Sequence, residues 1–434
     1  MTHFGIICPD GAGHFNPMSA LAQELQQRGH RVTLIGKVDV RASAVGAGLG
    51  FAAIGESAFP LGSVAKMFHQ RGELSGLAAL RATLAFVEQE TRVMFQEAPA
   101  AIQSAGIEAL LVDQCTPAGG TIADFLNIPF ITICNALLMN WEMGVPPLFV
   151  PWHYHPTALA YCRNQIGYFL GRILTQRVQK LQAEYRQHWQ LPPYLKQGDS
   201  YSALAQLSQQ PPEFEFPRQK LPPWFHFTGP YSTVRRSAVP FPWEKLTGQP
   251  LIFASMGTIQ NRLIHVFQTI ATACQGLDAQ LVISLGSSTE AENLANLPGN
   301  PIVVKYAPQL ELLQKATLTI THAGLNTVLE SLANAVPMVA IPITNDQPGV
   351  SARIAWTGTG EVVLPQHLAV TKLQAAIYNV LQNPTYRQNT ARLQAAILKS
   401  GGVKQAADII ETAIATGKPV LAPFNSVASR ETYQ

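Results

Sequence analysis

Tyr306 to Gln347 runs YAPQLELLQKATLTITHAGLNTVLESLANAVPMVAIPITNDQ, and its pattern alternates between two kinds of element. Lys315 to Thr321 reads as a buried strand, and Gly324 to Asn334 as a helix. Between them lies a small, sharply turned His322-Ala323-Gly324. A helix N-terminus carries unpaired N–H groups and the positive end of the dipole, so it favours an anion such as a phosphate. Asn326 and Thr327 add side-chain donors in the first turn. Glu330 lies one turn on, where a carboxylate can accept from sugar hydroxyls. A second short strand, Met338 to Ile341, stops at Pro342 and leads to Asp346-Gln347, a polar pair at the carboxyl edge of the sheet, where open α/β sheets bind ligands. The stretch reads as a site for a nucleotide with a sugar attached.

The same residues carry a resemblance. Tyr306-Ala307-Pro308-Gln309, Thr321 to Thr327, Glu330, Val336-Pro337-Met338 and Asp346-Gln347 resemble the donor-binding signature of UDP-dependent glycosyltransferases. Asp346 to Val350 resembles the wording of the zeaxanthin glucosyltransferases within that family. The resemblance implies an α/β fold of two facing Rossmann-like domains (GT-B type), with a cleft between them and a C-terminal helix crossing back to the first. Tyr306 and Leu325 stand where plant-type members usually carry Trp; a Tyr still stacks on uracil. The resemblance extends to Phe214-Glu215-Phe216-Pro217-Arg218 and Ala406 to Ile410, so it covers nearly the whole chain.

A length of 434 residues suits two domains, each with its own core. Charged residues make up 13%, about half the usual ~25%, so the surface relies on neutral polar side chains. A net charge of +3 gives no case for nucleic acid, and Arg235-Arg236 fits a solvated linker. The five cysteines (Cys8, Cys115, Cys134, Cys162, Cys274) form no CxxC pair and read as reduced thiols of a cytoplasmic protein. No signal peptide precedes the first strand. The longest uncharged apolar run, Phe125 to Trp141, is broken by Asn and Pro and is shorter than the ~20 residues a spanning helix needs. A soluble monomer is expected, with peripheral membrane contact left open.

His3 to Cys8 reads as a central parallel strand, Pro9 to Pro17 as a loop, Met18 to Arg28 as a helix and Arg31 to Ile35 as the next strand. Helix and strand then alternate through Leu77–Ser104, Ala109–Val112, Ala118–Leu126 and Phe130–Cys134. Gly46 to Gly50 follows a helix rather than a strand and reads as a turn, not as a dinucleotide fingerprint. Asn135 to Thr157 is an aromatic, proline-broken loop, and Ala158 to Trp189 a long helix. These patterns, with the roles that the resemblance implies, place an N-terminal acceptor-binding domain at 1–215 and a proline-rich linker at 216–250. They place a C-terminal UDP-sugar-binding domain at 251–400, and a terminal helix and tail at 401–434.

Moving a sugar from a nucleotide needs a base for the acceptor hydroxyl, charge stabilisation for the leaving diphosphate, and in-line geometry. His14 is the candidate base, since imidazole titrates near neutrality. On residues alone it is equally a capping histidine, but Gly11, Gly13 and Pro17 match the family's catalytic loop. Asp113, ending a neighbouring strand, is the candidate partner that holds the imidazole. Its alternative use is to cap the helix beginning near Thr116. No Asp-x-Asp pair or ligand-spaced cluster is present, so no metal cofactor is expected. His322, Gly324, Asn326 and Thr327, with Ser255 and Thr258, would meet the diphosphate instead. Tyr306, Ala307, Gln309 and Glu330 would hold the nucleoside, and Asp346 and Gln347 the sugar, glucose by resemblance. Met139, Trp141, Phe149, Trp152 and Tyr154 would line an apolar acceptor pocket, although an aromatic stripe is as readily packing. The expected reaction is inverting transfer from UDP-glucose to a hydroxyl of a lipophilic acceptor, a carotenoid such as zeaxanthin. Flavonoid or terpenoid acceptors are the alternative, as is a UDP-sugar epimerase on the same scaffold.

Overall fold

A computed structural model describes residues 1–71, 74, 76–232, 239–257, 264–286 and 296–423. Short apolar runs become strands buried on both faces, and longer amphipathic runs cover them as helices, giving two all-parallel sheets. The first half contains β1 (His3–Ile7), α1 (Ala12–Gln27), β2 (Arg31–Gly36), α2 (Arg41–Gly46), β3 (Gly50–Ala53), α3 (Ser63–Arg71) and α4 (Gly76–Ala105). It continues with β4 (Ala109–Asp113), α5 (Ala118–Leu126), β5 (Phe130–Cys134), α6 (Ala158–His188), β6 (Gln206–Ser208) and β7 (Phe225–Phe227). Its seven strands lie in the order β3-β2-β1-β4-β5-β6-β7.

The second half opens with β8 (Leu251–Ser255), α7 (Ile264–Cys274), β9 (Gln280–Ser284), β10 (Ile302–Val304), α8 (Gln309–Leu313), β11 (Ala316–Thr321) and α9 (Leu325–Ala333). There follow β12 (Met338–Ala340), α10 (Gln347–Trp356), β13 (Gly360–Val362), α11 (Val370–Gln382), α12 (Pro384–Lys399) and α13 (Gly402–Thr416). The order β10-β9-β8-β11-β12-β13 reverses direction between β8 and β11, just as the first sheet reverses between β1 and β4. Those two switch points are where a parallel sheet leaves a crevice at its carboxyl edge. His14 and Asp113 follow β1 and β4; Ser255 and His322 follow β8 and β11. Both crevices therefore carry the candidate chemistry.

Two readings need correction. The proline-dense stretch after Phe216 is not wholly linker, because Phe225–Phe227 pairs in parallel with β6 and extends the first sheet. Three residues are too few to show a period, and only the neighbouring edge reveals the strand. Nor is Gly11 to Pro17 a loop: α1 begins at Ala12, so His14 sits in its first turn. Pro17 misled the reading, since a proline inside a helix usually ends it. Here its missing N–H frees the Gly13 carbonyl, which accepts instead from Asn326 Nδ2 of the second half at 2.9 Å.

Helix α13 packs against α1, with Ala406, Ala407, Ile410 and Ala413 in one core with Leu21 and Leu25. Arg28 donates to Asp408 and Glu411, and His30 meets Glu411 at 2.8 Å. A second tie is buried. Glu215 accepts from Arg218 and from Arg353 on α10, and Arg353 lies 4.2 Å from the Phe216 ring centre. Among the described residues no helix is long and apolar enough to cross a membrane.

Candidate active site

Asp113 is fully buried at the end of β4, while the His14 side chain is a quarter exposed. Their contact, Nδ1 to Oδ2, measures 2.8 Å. A carboxylate only accepts, so Nδ1 carries the proton and Nε2 keeps its lone pair. Asp113 is saturated: Asn135 Nδ2 donates to Oδ2 at 2.7 Å, and the Cys115 N–H donates to Oδ1 at 2.8 Å. Burial alone would raise the Asp113 pKa, but the His14 charge and hydrogen bond, with those two donors, hold it below the usual carboxylate range. For His14, burial opposes the charged form. The Asp113 charge and hydrogen bond outweigh it, with Asp346 and Glu90 adding, so the imidazole pKa is raised. The Cys115 sulfur, the His14 ring and Asp113 could be grouped as ligands within 4.8 Å of one another. The carboxylate is already committed to three donors, and burial keeps the Cys115 thiol protonated. The group reads as a hydrogen-bonded dyad.

Asn135 was missed because its role depends on β5 lying beside β4, which no local spacing encodes. Also missed were Lys37, Asp10 and Glu90, a buried ionic cluster at the ends of β2 and β1 and on α4. Lys37 sits 5.0 Å and 5.1 Å from the Phe59 and Phe86 ring centres. A small cavity there is lined by Cys8, Asp10, Lys37, Phe59, Glu90 and Met94.

On the facing half, His322 directly follows β11 and is half-buried, its pKa pushed down to about 4 by desolvation of the ring. It is therefore neutral near pH 7, and its Nδ1 has no hydrogen-bond partner among the described residues. A Cβ on Gly257 or Gly324 would fall 2.5 Å or 2.4 Å from its Nε2, so glycines alone let the ring lie there. Ala323 holds a left-handed φ of 64°, the kind of strain that concentrates at functional turns. Gly324 caps α9 without a side chain, leaving the first N–H groups of that helix unclaimed by a cap.

Tyr306 stands 46% exposed, as a stacking platform must. Gln309 Nε2 donates to Glu330 Oε2 at 2.5 Å and lies 3.4 Å from Thr327 Oγ1, joining two of the nucleoside candidates to one of the diphosphate candidates. Ala307 packs against the core beneath β8 and α8. Gln347 Oε1 accepts from the Ile343 and Thr344 N–H groups, which turns its Nε2 outward. Asp346 accepts from the Leu137 N–H at 3.1 Å, and burial raises its pKa. Ser255 Oγ accepts from the Gly257 N–H at 3.4 Å. Thr258 lies outside the described residues.

Asn326 is placed differently from its expected use. Its amide bridges Gly13 O and Gln209 Nε2, so it joins the two halves. Of the acceptor candidates, Met139 lies beside the dyad, its sulfur 3.9 Å from Cys115 Sγ. The contacts of the other four are packing contacts. Trp141 meets Tyr168, Phe149 fills the notch at Gly171, Trp152 lies over Gly167 and Arg163, and Tyr154 stacks on Phe216. Gly171 and Gly167 on α6 make room for Phe149 and Trp152.

Replacing Asp113 with Asn should lower turnover and move the acid limb of its pH profile down. The neutral amide no longer stabilises the imidazolium, so His14 keeps its free base to lower pH. A kcat–pH profile of both forms checks this; an unmoved limb would detach Asp113 from His14.

Comparison with known proteins places the chain in a family. The chain is 34% identical over 425 residues to a zeaxanthin glucosyltransferase of Pantoea ananas, covering 97% of this chain and 98% of that one. It is 33% identical over 423 residues to one of Pseudescherichia vulneris, covering 97% and 100%. The crystal structure of a glycotransferase of kitacinnamycin superposes with a TM-score of 0.74 at 22% identity, over 95% of this chain and 99% of that one, which shows the GT-B fold. A family model described as UDP-glucoronosyl and UDP-glucosyl transferase matches residues 56–404. The chain belongs to that family, and it is a glycosyltransferase.

Proposed function

We propose that this enzyme transfers glucose from UDP-glucose to a hydroxyl of a lipophilic acceptor, a hydroxylated carotenoid such as zeaxanthin, with inversion and without a metal. The observation that carries the reading is the His14–Asp113 pair, whose neutral ring leaves the Nε2 lone pair free, on a helix that Asn326 ties directly to the N-terminal turn of α9. In this reading His14 Nε2 takes the proton of the acceptor hydroxyl as its oxygen attacks the anomeric carbon. The bond from that carbon to the diphosphate oxygen breaks, and UDP leaves from the opposite face. The unclaimed N–H groups of α9, Thr327 and the neutral His322 meet the charge that develops on the diphosphate. Tyr306 stacks on the base, Gln309 and Glu330 hold the ribose, and Asp346 and Gln347 hold the sugar. The names of the two relatives support the acceptor class.

The test is transfer from UDP-glucose to a dihydroxy carotenoid in detergent, a flavonol, a triterpene and no acceptor, following UDP release and product mass. The expected result is a gain of one or two hexoses on the carotenoid. Gain on the flavonol or triterpene alone would keep the chemistry and reject the carotenoid. A changed sugar still attached to UDP, with no acceptor present, would reject transfer in favour of epimerisation.

A further inference from the structure

Helix α6 is buried on one side only. Gly167, Gly171 and Val178 face the protein, and on the far side Leu159, Cys162, Ile166, Phe169, Leu170 and Ile173 are all exposed, Leu159 at 82% and Phe169 at 63%. Their spacing of three, four, three, one and three residues draws a single stripe, about 21 Å long at the helical rise. A large contiguous apolar patch on a folded protein marks an interaction surface.

The charge beside the stripe identifies the partner. Arg177 and Lys180 continue its line, and Arg172 flanks it; all three are exposed. Arg177 reaches Glu88 only at 4.0 Å and remains 86% exposed. Between Met143 and Ala183 there is no Asp or Glu at all, while Arg163, Arg172, Arg177 and Lys180 fall within it. The segment's own charge of +4 exceeds the +3 of the whole chain. An apolar face with basic side chains at its margin, lying flat, suits a lipid headgroup boundary: rings and aliphatic chains enter the acyl edge and the cations meet anionic phosphates. A second copy of the chain fits poorly. Pairing this face with itself about a two-fold axis would offer the basic side chains no acid from the same segment to pair with.

We propose that the outer face of α6 docks this enzyme on an anionic lipid bilayer. The proposal goes beyond the transfer reaction and stands whichever acceptor is used. The experiment is co-sedimentation of the full chain with vesicles of phosphatidylcholine alone and with added phosphatidylglycerol. Strong binding is expected to the second and weak binding to the first, falling as salt is raised. Neutralising Arg172→Gln, Arg177→Gln and Lys180→Gln together should lower partitioning about a hundredfold, at roughly fivefold per basic side chain. Ile166→Ser, Phe169→Ser and Ile173→Ser together should lower it about tenfold or more. Both variants should keep the parent's melting temperature and UDP-glucose affinity, because the altered side chains face solvent. Absence of sedimentation of the parent with phosphatidylglycerol vesicles overturns the proposal, as does equal binding by both variants. A dimer that the serine variant dissolves would give the stripe to a second copy instead.

Discussion

His14→Ala is expected to lower kcat by about 10²–10⁴-fold, the usual contribution of a positioned general base, while UDP-glucose binds with nearly unchanged affinity. The separation follows from the architecture. Every candidate donor contact lies on residues 255–347, whereas His14 belongs to the first turn of α1. Without the imidazole no group held by Asp113 can take the acceptor proton, and a hydroxyl remains a poor nucleophile. The parent's kcat should fall on the acid side, where His14 becomes protonated, with its midpoint above the usual 6.5 because Asp113 raises the pKa. Steady-state UDP release and calorimetric titration of UDP-glucose, run on both proteins, check the pair of outcomes. Retained turnover would remove His14 from the base role. Loss of UDP-glucose binding would mean instead that the change disturbed the Gly13–Asn326 contact.

The largest effect on stability is expected at Glu215. Its carboxylate accepts from Arg353, Arg218 and Gln210, all in the interior. Burial opposes its charge, yet the two guanidiniums hold its pKa down to about 2 against a usual 4.5. A group whose folded pKa is depressed contributes stability above its unfolded value and loses it as pH falls through the folded one. The contribution, about 3 kcal/mol by that shift, is therefore full above pH 4.5 and fades toward pH 2. Glu215→Gln leaves two buried cations facing each other and should cost about 3–5 kcal/mol, read as a lowered midpoint in urea unfolding. Because Arg353 lies on α10, which begins at Gln347, UDP-glucose affinity should weaken as well. Combining Glu215→Leu with Arg353→Met should recover part of the loss, since no charge of that pair is then left buried. An unchanged midpoint for Glu215→Gln would show that the tie contributes nothing net.

Much of the donor half could be read directly. The span from Tyr306 to Gln347 supplies its own strand, turn and helix, so strand-end rules place His322, Thr327 and Glu330 on one crevice. Asp113 was legible as the end of a recognisable apolar strand, and His14 through the resemblance carried by Gly11, Gly13 and Pro17. Other features resisted reading because their partners are distant in the chain. Asn135 serves Asp113 from a neighbouring strand, Glu215 meets Arg353 across 138 positions, and Asn326 reaches Gly13 across 313. Which partners the aromatic loop packs on was equally illegible, because composition records which side chains are apolar and not what they touch. Helix α6 was legible as a helix, but its outward stripe was not, since it is apolar on both faces and only packing on α4 shows which is covered. Local periodicity thus determined two alternating α/β halves and the nucleotide-sugar stretch, while the two members of the dyad came from the family resemblance of the residues around them. Tertiary structure alone decided how the halves are joined, what saturates Asp113 and which face of α6 meets solvent. Those depend on contacts between segments that only folding brings together.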